Sequence, residues 1–325
     1  MLSRIADSIY WMSRYLQRAG DTARLMEINL LYLIEAQDDL TKDDKWRSLL
    51  SITSAEDAFA ELYGGEITQS RVLHFMTAEK SNGNSIRSCI RLARENARIV
   101  RDRISKEMWE AINGLWLAID QRLKKPLQPL KATQFFSFVR SEAARFSGLT
   151  SSTMMRGEGY VFYSLGAYTE QADMTARILD VKYHLMLPDI SMVGSALDYY
   201  QWAALLKSLS GYEAFRRKYH SGFRPIDVVE FVIFDPDFPR SLVFAVKQLR
   251  DAIESAGTGN RKNSCRAIDK VSAMLNGNSA DKVFASGLHE FLDEFLTAIA
   301  ALNRATEMDF LDLYAEDLNA IPDRA

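Results

Sequence analysis

The chain is poor in the residues that usually mark small stapled folds, β-rich folds and metal sites: two cysteines, seven prolines and four histidines among 325 residues. Cys89 and Cys265 are isolated, which excludes a disulfide framework and suits a reducing compartment. Seven prolines and 16 glycines leave little material for the many turns of a β protein. No run approaches the ~20 apolar residues of a membrane span. The opening MLSRIADSIYW has no apolar core of a signal peptide, so a cytoplasmic, membrane-free protein is expected. The histidines, His74, His184, His220 and His289, share no ligand spacing, so no metal and no cofactor is expected. A glycine-rich phosphate loop, H-E-x-x-H, C-x-x-C and G-x-S-x-G are all missing. The net charge of −3 gives no bias toward nucleic acid.

What the chain does have is a repeat. Trp46, Leu49, Leu50, Ser54, Ala58, Phe59 and Tyr63 become Trp202, Leu205, Leu206, Ser210, Ala214, Phe215 and Tyr219 when 156 is added. The same offset pairs Ser85 with Ser241 and Arg94 with Arg250; upstream it becomes 153, and YLQRAGDTARLMEI (15–28) falls on YTEQADMTARILDV (168–181). A period this long means two domain-sized halves rather than a solenoid. We expect a first half over 1–150 and a second over 151–325, packed about a pseudo-two-fold axis into one compact unit.

The periodicity is helical. Ile5, Ile9, Met12, Leu16, Ala19, Ala23, Met26, Leu30 and Leu33 alternate spacings of four and three, the seam of a long helix. Phe162, Leu165, Thr169, Ala172, Ala176, Leu179, Tyr183 and Met186 repeat it, with Pro188 as a stop. The alanines predict a close helix crossing in each half. Further helices are predicted over 43–62, 67–78, 85–123, 131–156, 193–219, 226–235, 261–275 and 281–315, with Asp237 as an N-cap. The fold class is all-α.

Two charged groupings stand out. Asp7, Arg14, Arg18 and Asp21 lie about 180° from the seam of the first helix, among Tyr10, Trp11 and Leu25. That helix is therefore expected to be buried on both sides, with charges inside. Buried charges must be paired, so one reading is ion pairs that fix helix register. The other is a polar pocket between the halves, lined by Arg14, Arg18, Asp21, Arg24, Glu170, Asp173 and Arg177, that holds a carboxylate or phosphate. The second grouping is a stripe, Arg87, Arg91, Arg94, Arg98 and Arg101. It is either a solvated face or a surface for an anion or acidic partner, and its counterpart in the second half is mostly not basic.

Several segments taken together resemble the bacterial alpha-E family, a helical family named for a Glu-Arg motif. They are LSR…YWMSRYLQRA (2–19), ARENAR (93–98), MMRGEGY…LG (154–166), TARILDVKY (175–183), YEAFRRKY (212–219) and VVEFVIFDPDFPRS (228–241). The resemblance implies association with circularly permuted ATP-grasp ligases and transglutaminase-like proteases. The family pattern is Glu-Arg-Ala followed by an acid. Here the first half reads Gln17-Arg18-Ala19-Gly20 and the second Glu170-Gln171-Ala172-Asp173. One half keeps the base, the other both acids. Either the motif has decayed, or the halves share one set of charges, which would bring Arg18 to Glu170 or Asp173.

The expected role is a non-catalytic partner or scaffold of an ATP-grasp amide or peptide ligase, holding its acceptor peptide. Two alternatives stay open: an enzyme with an acid–base pocket between the halves, and a general adaptor or oligomerisation protein.

Overall fold

The computed structural model describes residues 3–35, 42–186, 196–220, 222–256 and 261–311. Among them there are helices and no strand. In chain order they are α1 (Ser3–Glu35), α2 (Lys42–Ile52), α3 (Glu56–Tyr63), α4 (Gln69–Thr77), α5 (Ile86–Ile99), α6 (Lys106–Arg122) and α7 (Pro129–Thr153). Then come α8 (Glu158–Met186), α9 (Ala196–Ser208), α10 (Tyr212–Lys218), α11 (Pro225–Val229), α12 (Leu242–Ser255), α13 (Lys262–Asn276), α14 (Ala280–Ser286) and α15 (Leu288–Thr306). Short π-helical turns follow α11 (Glu230–Phe234) and α15 (Glu307–Leu311). No helix of the described residues is long and apolar enough to cross a membrane.

Two long helices organise the molecule. α1 packs on α5, α7 and α8; α8 packs on α1, α12 and α15. α6 joins α5 to α7, and α13 joins α12 to α15. α2 and α9 each touch both α1 and α8. The seam of α1 is in the core, with Ile9, Met12, Ala19, Ala23 and Met26 fully enclosed. So are Tyr10, Trp11 and Leu25 on its opposite side. A helix of 33 residues, about 50 Å long, is thus surrounded over most of its length, as the charged-and-aromatic face predicts. Ala172 and Ala176 of α8 are equally enclosed. α1 and α8 also meet closely at Gly166, where an added Cβ would stand 2.1 Å from Ser13 Oγ and 2.3 Å from the Tyr10 carbonyl oxygen.

Trp46 and Trp202 are both buried. Ser54 and Ser210 share a left-handed backbone, φ 51° and 54°, which a side chain usually avoids. Each ends a helix in the same way. Ser54 N–H donates to the Ser51 carbonyl and Ala55 N–H to that of Leu50; Ser210 N–H donates to Lys207 and Gly211 N–H to Leu206. This crossed pair of bonds is the Schellman C-terminus, most often built on glycine. It corrects the single helices expected over 43–62 and 193–219: each is two, and 193–195 lie outside the described residues. Serine in place of glycine hid the break.

Other boundaries also move. The helix expected over 85–123 divides into α5 and α6 at 100–105, where the Ser105 hydroxyl accepts the Met108 N–H and starts α6. The helix expected over 281–315 divides at Gly287, whose φ of 106° is outside the helical region. Asp237 is not a cap. Ser241 caps α12 by accepting the Phe244 N–H, as Ser85 caps α5 through Ser88. The Asp237 amide instead donates to Asp235, as the Asn84 amide does to Asn82. Pro188 lies outside the described residues, as do the side chains of Leu33, Tyr183, His184 and Met186.

Candidate functional site

The candidate residues form two chambers on different sides of the α1–α8 contact. The first is built on Glu170, which is 2% exposed. Arg18 faces it with two donors, Nε to Oε1 at 2.5 Å and Nη2 to Oε2 at 2.9 Å. Arg14 Nε reaches Oε2 at 3.1 Å. Arg18 also donates to Asn84, and Arg14 to Asn303 at 3.1 Å. Tyr10, stacked near Arg14, donates its hydroxyl to the same Asn303 oxygen. Thus Arg18 lies on Glu170, one of the two acids to which a shared set of charges would bring it. Asp173 turns to its own helix, where Arg177 Nε and Nη2 clamp it at 2.7 and 3.2 Å, while Arg177 Nη1 donates to Ser54 Oγ at 2.5 Å.

Burial alone would push the Glu170 pKa up, but Arg18 and Arg14, by charge and by hydrogen bonds, prevail and hold it at about 2. The carboxylate is therefore ionised at any physiological pH, with both oxygens engaged. A cavity of about 130 Å³ adjoins this cluster, lined also by Thr53, Ser54 and Asn84.

The second chamber, about 310 Å³, lies between α1, α7, α8 and the Pro239-Arg240 turn. Three guanidiniums reach it, from Arg24, Arg140 and Arg240. Asp21 accepts from Arg24 Nη1 at 2.7 Å, Arg240 Nη1 at 2.9 Å and Gln17 Nε2 at 2.8 Å. Arg140 has an ion pair with Glu27 at 3.3 Å. That contact is made by Arg140 Nε, whereas the buried Nε of Arg24 has no hydrogen-bond partner among the described residues. Burial, the Arg240 charge and the Arg140 charge lower the Arg24 pKa to about 10 against the pull of Asp21. It remains a cation at neutral pH.

So the seven candidates divide: Arg14, Arg18, Glu170, Asp173 and Arg177 meet in one chamber, Asp21 and Arg24 in the other. Sequence reasoning missed Tyr10, Asn84 and Asn303 at the first, and Gln17, Glu27, Arg140 and Arg240 at the second. All but Tyr10, Gln17 and Glu27 come from other helices or turns, where no local spacing signals them.

Of the arginine stripe, Arg87 and Arg94 are half-buried against α6, while Arg91, Arg98 and Arg101 are exposed. Arg87 pairs with Asp120 at 2.6 Å, and Arg94 donates to Asn113 at 2.8 Å and to Glu95 at 2.7 Å. Arg94 and Arg101 flank the ring of Trp109, and Arg87 that of Trp116. Arg98 pairs with Glu95 but is 64% exposed, and Arg91 is exposed. Trp109 and Trp116 of the neighbouring helix thus interleave with the stripe. Replacing Arg91 and Arg98 by Gln is expected to change stability by no more than about 0.5 kcal/mol. Replacing Arg94 by Ala, with its Asn113 bond, should cost about 1 kcal/mol. Chemical denaturation distinguishes the two; equal costs would mean that the α5–α6 contacts contribute nothing.

No group of His, Cys, Asp and Glu able to hold a metal occurs among the described residues.

A family model described as a predicted alpha-helical domain with a conserved ER motif, Alpha-E, matches residues 1–311. The chain belongs to the Alpha-E family. It is similar to an uncharacterized protein of Mycobacterium bovis and to two uncharacterized proteins from strains of Mycobacterium tuberculosis. Each is 21% identical over 98% of this chain and 37% of its own length. The chain thus spans little more than a third of the curated relatives it matches. No solved structure matches it.

Proposed function

We propose that the chain is a non-catalytic helical partner of an ATP-grasp amide or peptide ligase, built from two duplicated halves about a pseudo-two-fold axis. The duplication is supported by features that recur at the offset of 156: the left-handed Ser54 and Ser210, the buried Trp46 and Trp202, and the capping Ser85 and Ser241. The packing of α1 with α5 and α7 has its counterpart in α8 with α12 and α15.

One observation carries the non-catalytic reading. The acid of the family motif, Glu170, is held ionised by two arginines. An acid–base catalyst needs a carboxyl group poised near the working pH, so its pKa must be raised rather than lowered. Glu170 goes the other way and acts as a clamp between α8 and α1. In the mycobacterial relatives the matched region leaves most of the chain to other parts, an arrangement that suits a partner module. The association with an ATP-grasp ligase and a transglutaminase-like protease comes from the family resemblance.

The test is a binding and activity experiment with purified proteins. A circularly permuted ATP-grasp ligase is titrated with this chain by calorimetry, and the chain alone is assayed on peptide and amide substrates. We expect a complex, and no turnover by the chain alone. Turnover by the isolated chain would move the chemistry into one of its two chambers. Absence of a complex would reject the partner role.

A further inference from the structure

We propose that the 310 Å³ chamber binds the carboxylate of a small organic acid or peptide C-terminus, held by Arg24, Arg140 and Arg240 where an aspartate at position 20 would otherwise stand. This inference rests on the duplication proposed above but not on the ligase reading, and it uses different residues from the Glu170 clamp.

The offset of 153 sets Gly20 against Asp173 and Arg24 against Arg177. In the second half, Arg177 Nε donates to Asp173 Oδ2 at 2.7 Å and Nη2 to Oδ1 at 3.2 Å, a two-pronged clamp on a carboxylate. In the first half the carboxylate is missing, because residue 20 is glycine. The Nε of Arg24 is the equivalent donor, and it has no partner among the described residues. Arg24 is 9% exposed, so water does not readily replace the lost acceptor. The side chain of Arg24 lines the chamber together with those of Arg140 and Arg240.

Charge points the same way. Three guanidiniums, Arg24, Arg140 and Arg240, are set against two carboxylates, Asp21 and Glu27. The chamber is one negative charge short among the described residues, which a monoanion restores. The Glu170 chamber has the same count, but its arginines direct their further donors to Asn303, Asn84 and Ser54. An orphaned donor distinguishes the two. The planar fork of arginine matches a carboxylate. The side chains grade from 40% exposed at Arg140 through 20% at Arg240 to 11% at Arg24, which gives a mouth and a floor. Leu16, Ala143 and Ala144 supply apolar wall for a short aliphatic body. The volume is at the lower end of ligand pockets, about 300–1,000 Å³, so the ligand is small or only its end enters.

The probe is N-acetyl-L-alanine, titrated by calorimetry and thermal melting into the whole chain, beside N-acetyl-L-alaninamide and inorganic phosphate. The acid should bind and raise the melting temperature, and the amide should not. Arg24→Gln should weaken binding roughly tenfold or more, the loss of a charge-assisted hydrogen bond; if that variant does not fold, Arg240→Gln takes its place. A second pair of variants tests the position itself. A Cβ at Gly20 would stand 3.0 Å from Ala143 Cβ, so Gly20→Asp and Gly20→Asn are each combined with Ala143→Gly. The aspartate chain should melt higher than the asparagine chain and should no longer respond to the probe. The proposal is overturned if the acid does not bind, if the amide binds as well, if phosphate alone binds, or if binding survives both Arg24→Gln and the aspartate.

Discussion

Glu170→Gln should lower stability at neutral pH by roughly 3–5 kcal/mol, the cost of removing one partner from a buried ion pair. The size follows from what is left behind. Arg14 and Arg18 are 11% and 12% exposed, and the amide leaves both charges without the carboxylate that makes burial tolerable. The effect is tied to pH. The folded state holds the Glu170 pKa at about 2, below the ordinary 4.5. A depressed carboxylate contributes its full stability above the ordinary value and loses it as pH falls through the folded one. The difference in unfolding free energy between the native chain and Glu170→Gln should therefore be constant from neutral pH down to about 5 and shrink between pH 4.5 and about 2. Denaturant titrations across that range measure it, and a difference that does not move with pH would mean the carboxylate is not held as described. Replacing Arg14, Arg18 and Glu170 together by apolar residues of similar volume should recover most of the loss, because the desolvation cost disappears with the charges.

Gly166→Ala should be the most disruptive single methyl group in the chain's centre, at or beyond the upper end of the 1–3 kcal/mol typical of overpacking. One obstacle, Ser13 Oγ at 2.1 Å from the new Cβ, is a side-chain atom and can be removed. The other, the Tyr10 carbonyl oxygen at 2.3 Å, is backbone and moves only if α1 moves. Displacing α1 there also pulls the Tyr10 hydroxyl from Asn303 and disturbs Arg14. Ser13→Ala in the same chain should accordingly recover only part of the loss. Melting curves of the native chain and the two variants decide it; a Gly166→Ala chain within about 1 kcal/mol of the native one would mean that the two helices separate easily.

Much of this arrangement can be read from the sequence, and what can be read has a physical reason. The four-and-three seam of α1 and the aromatic residues among its charges are local patterns, so its burial on both sides is visible without coordinates. The contact of Arg18 with Glu170 is one of the two outcomes that the complementary residues at 17–20 and 170–173 suggest. The helix breaks at Ser54 and Ser210 are not visible, since glycine is the usual marker of a left-handed C-terminus and serine is not. The arginine stripe resembles a solvated face because its partners, Asp120, Asn113, Trp109 and Trp116, are on α6. The second chamber was legible in principle: setting Gly20-Arg24 beside Asp173-Arg177 exposes an arginine without its acid. Arg140 and Arg240, by contrast, come from distant segments, and only the fold brings them there.

The enclosure of α1 has a consequence for biosynthesis. Ile9, Tyr10, Trp11 and Met12 are consecutive and all buried, so no face of this turn is fit for water. Yet the helices that cover it come later in the chain: α5 and α7, then α8, and finally α15, whose Asn303 lies 293 residues beyond the Tyr10 it contacts. During translation, at about 5–20 residues per second, α1 leaves the ribosome many seconds before its cover exists. In that interval the nascent chain displays an apolar, arginine-bearing segment whose covering helices have yet to be made.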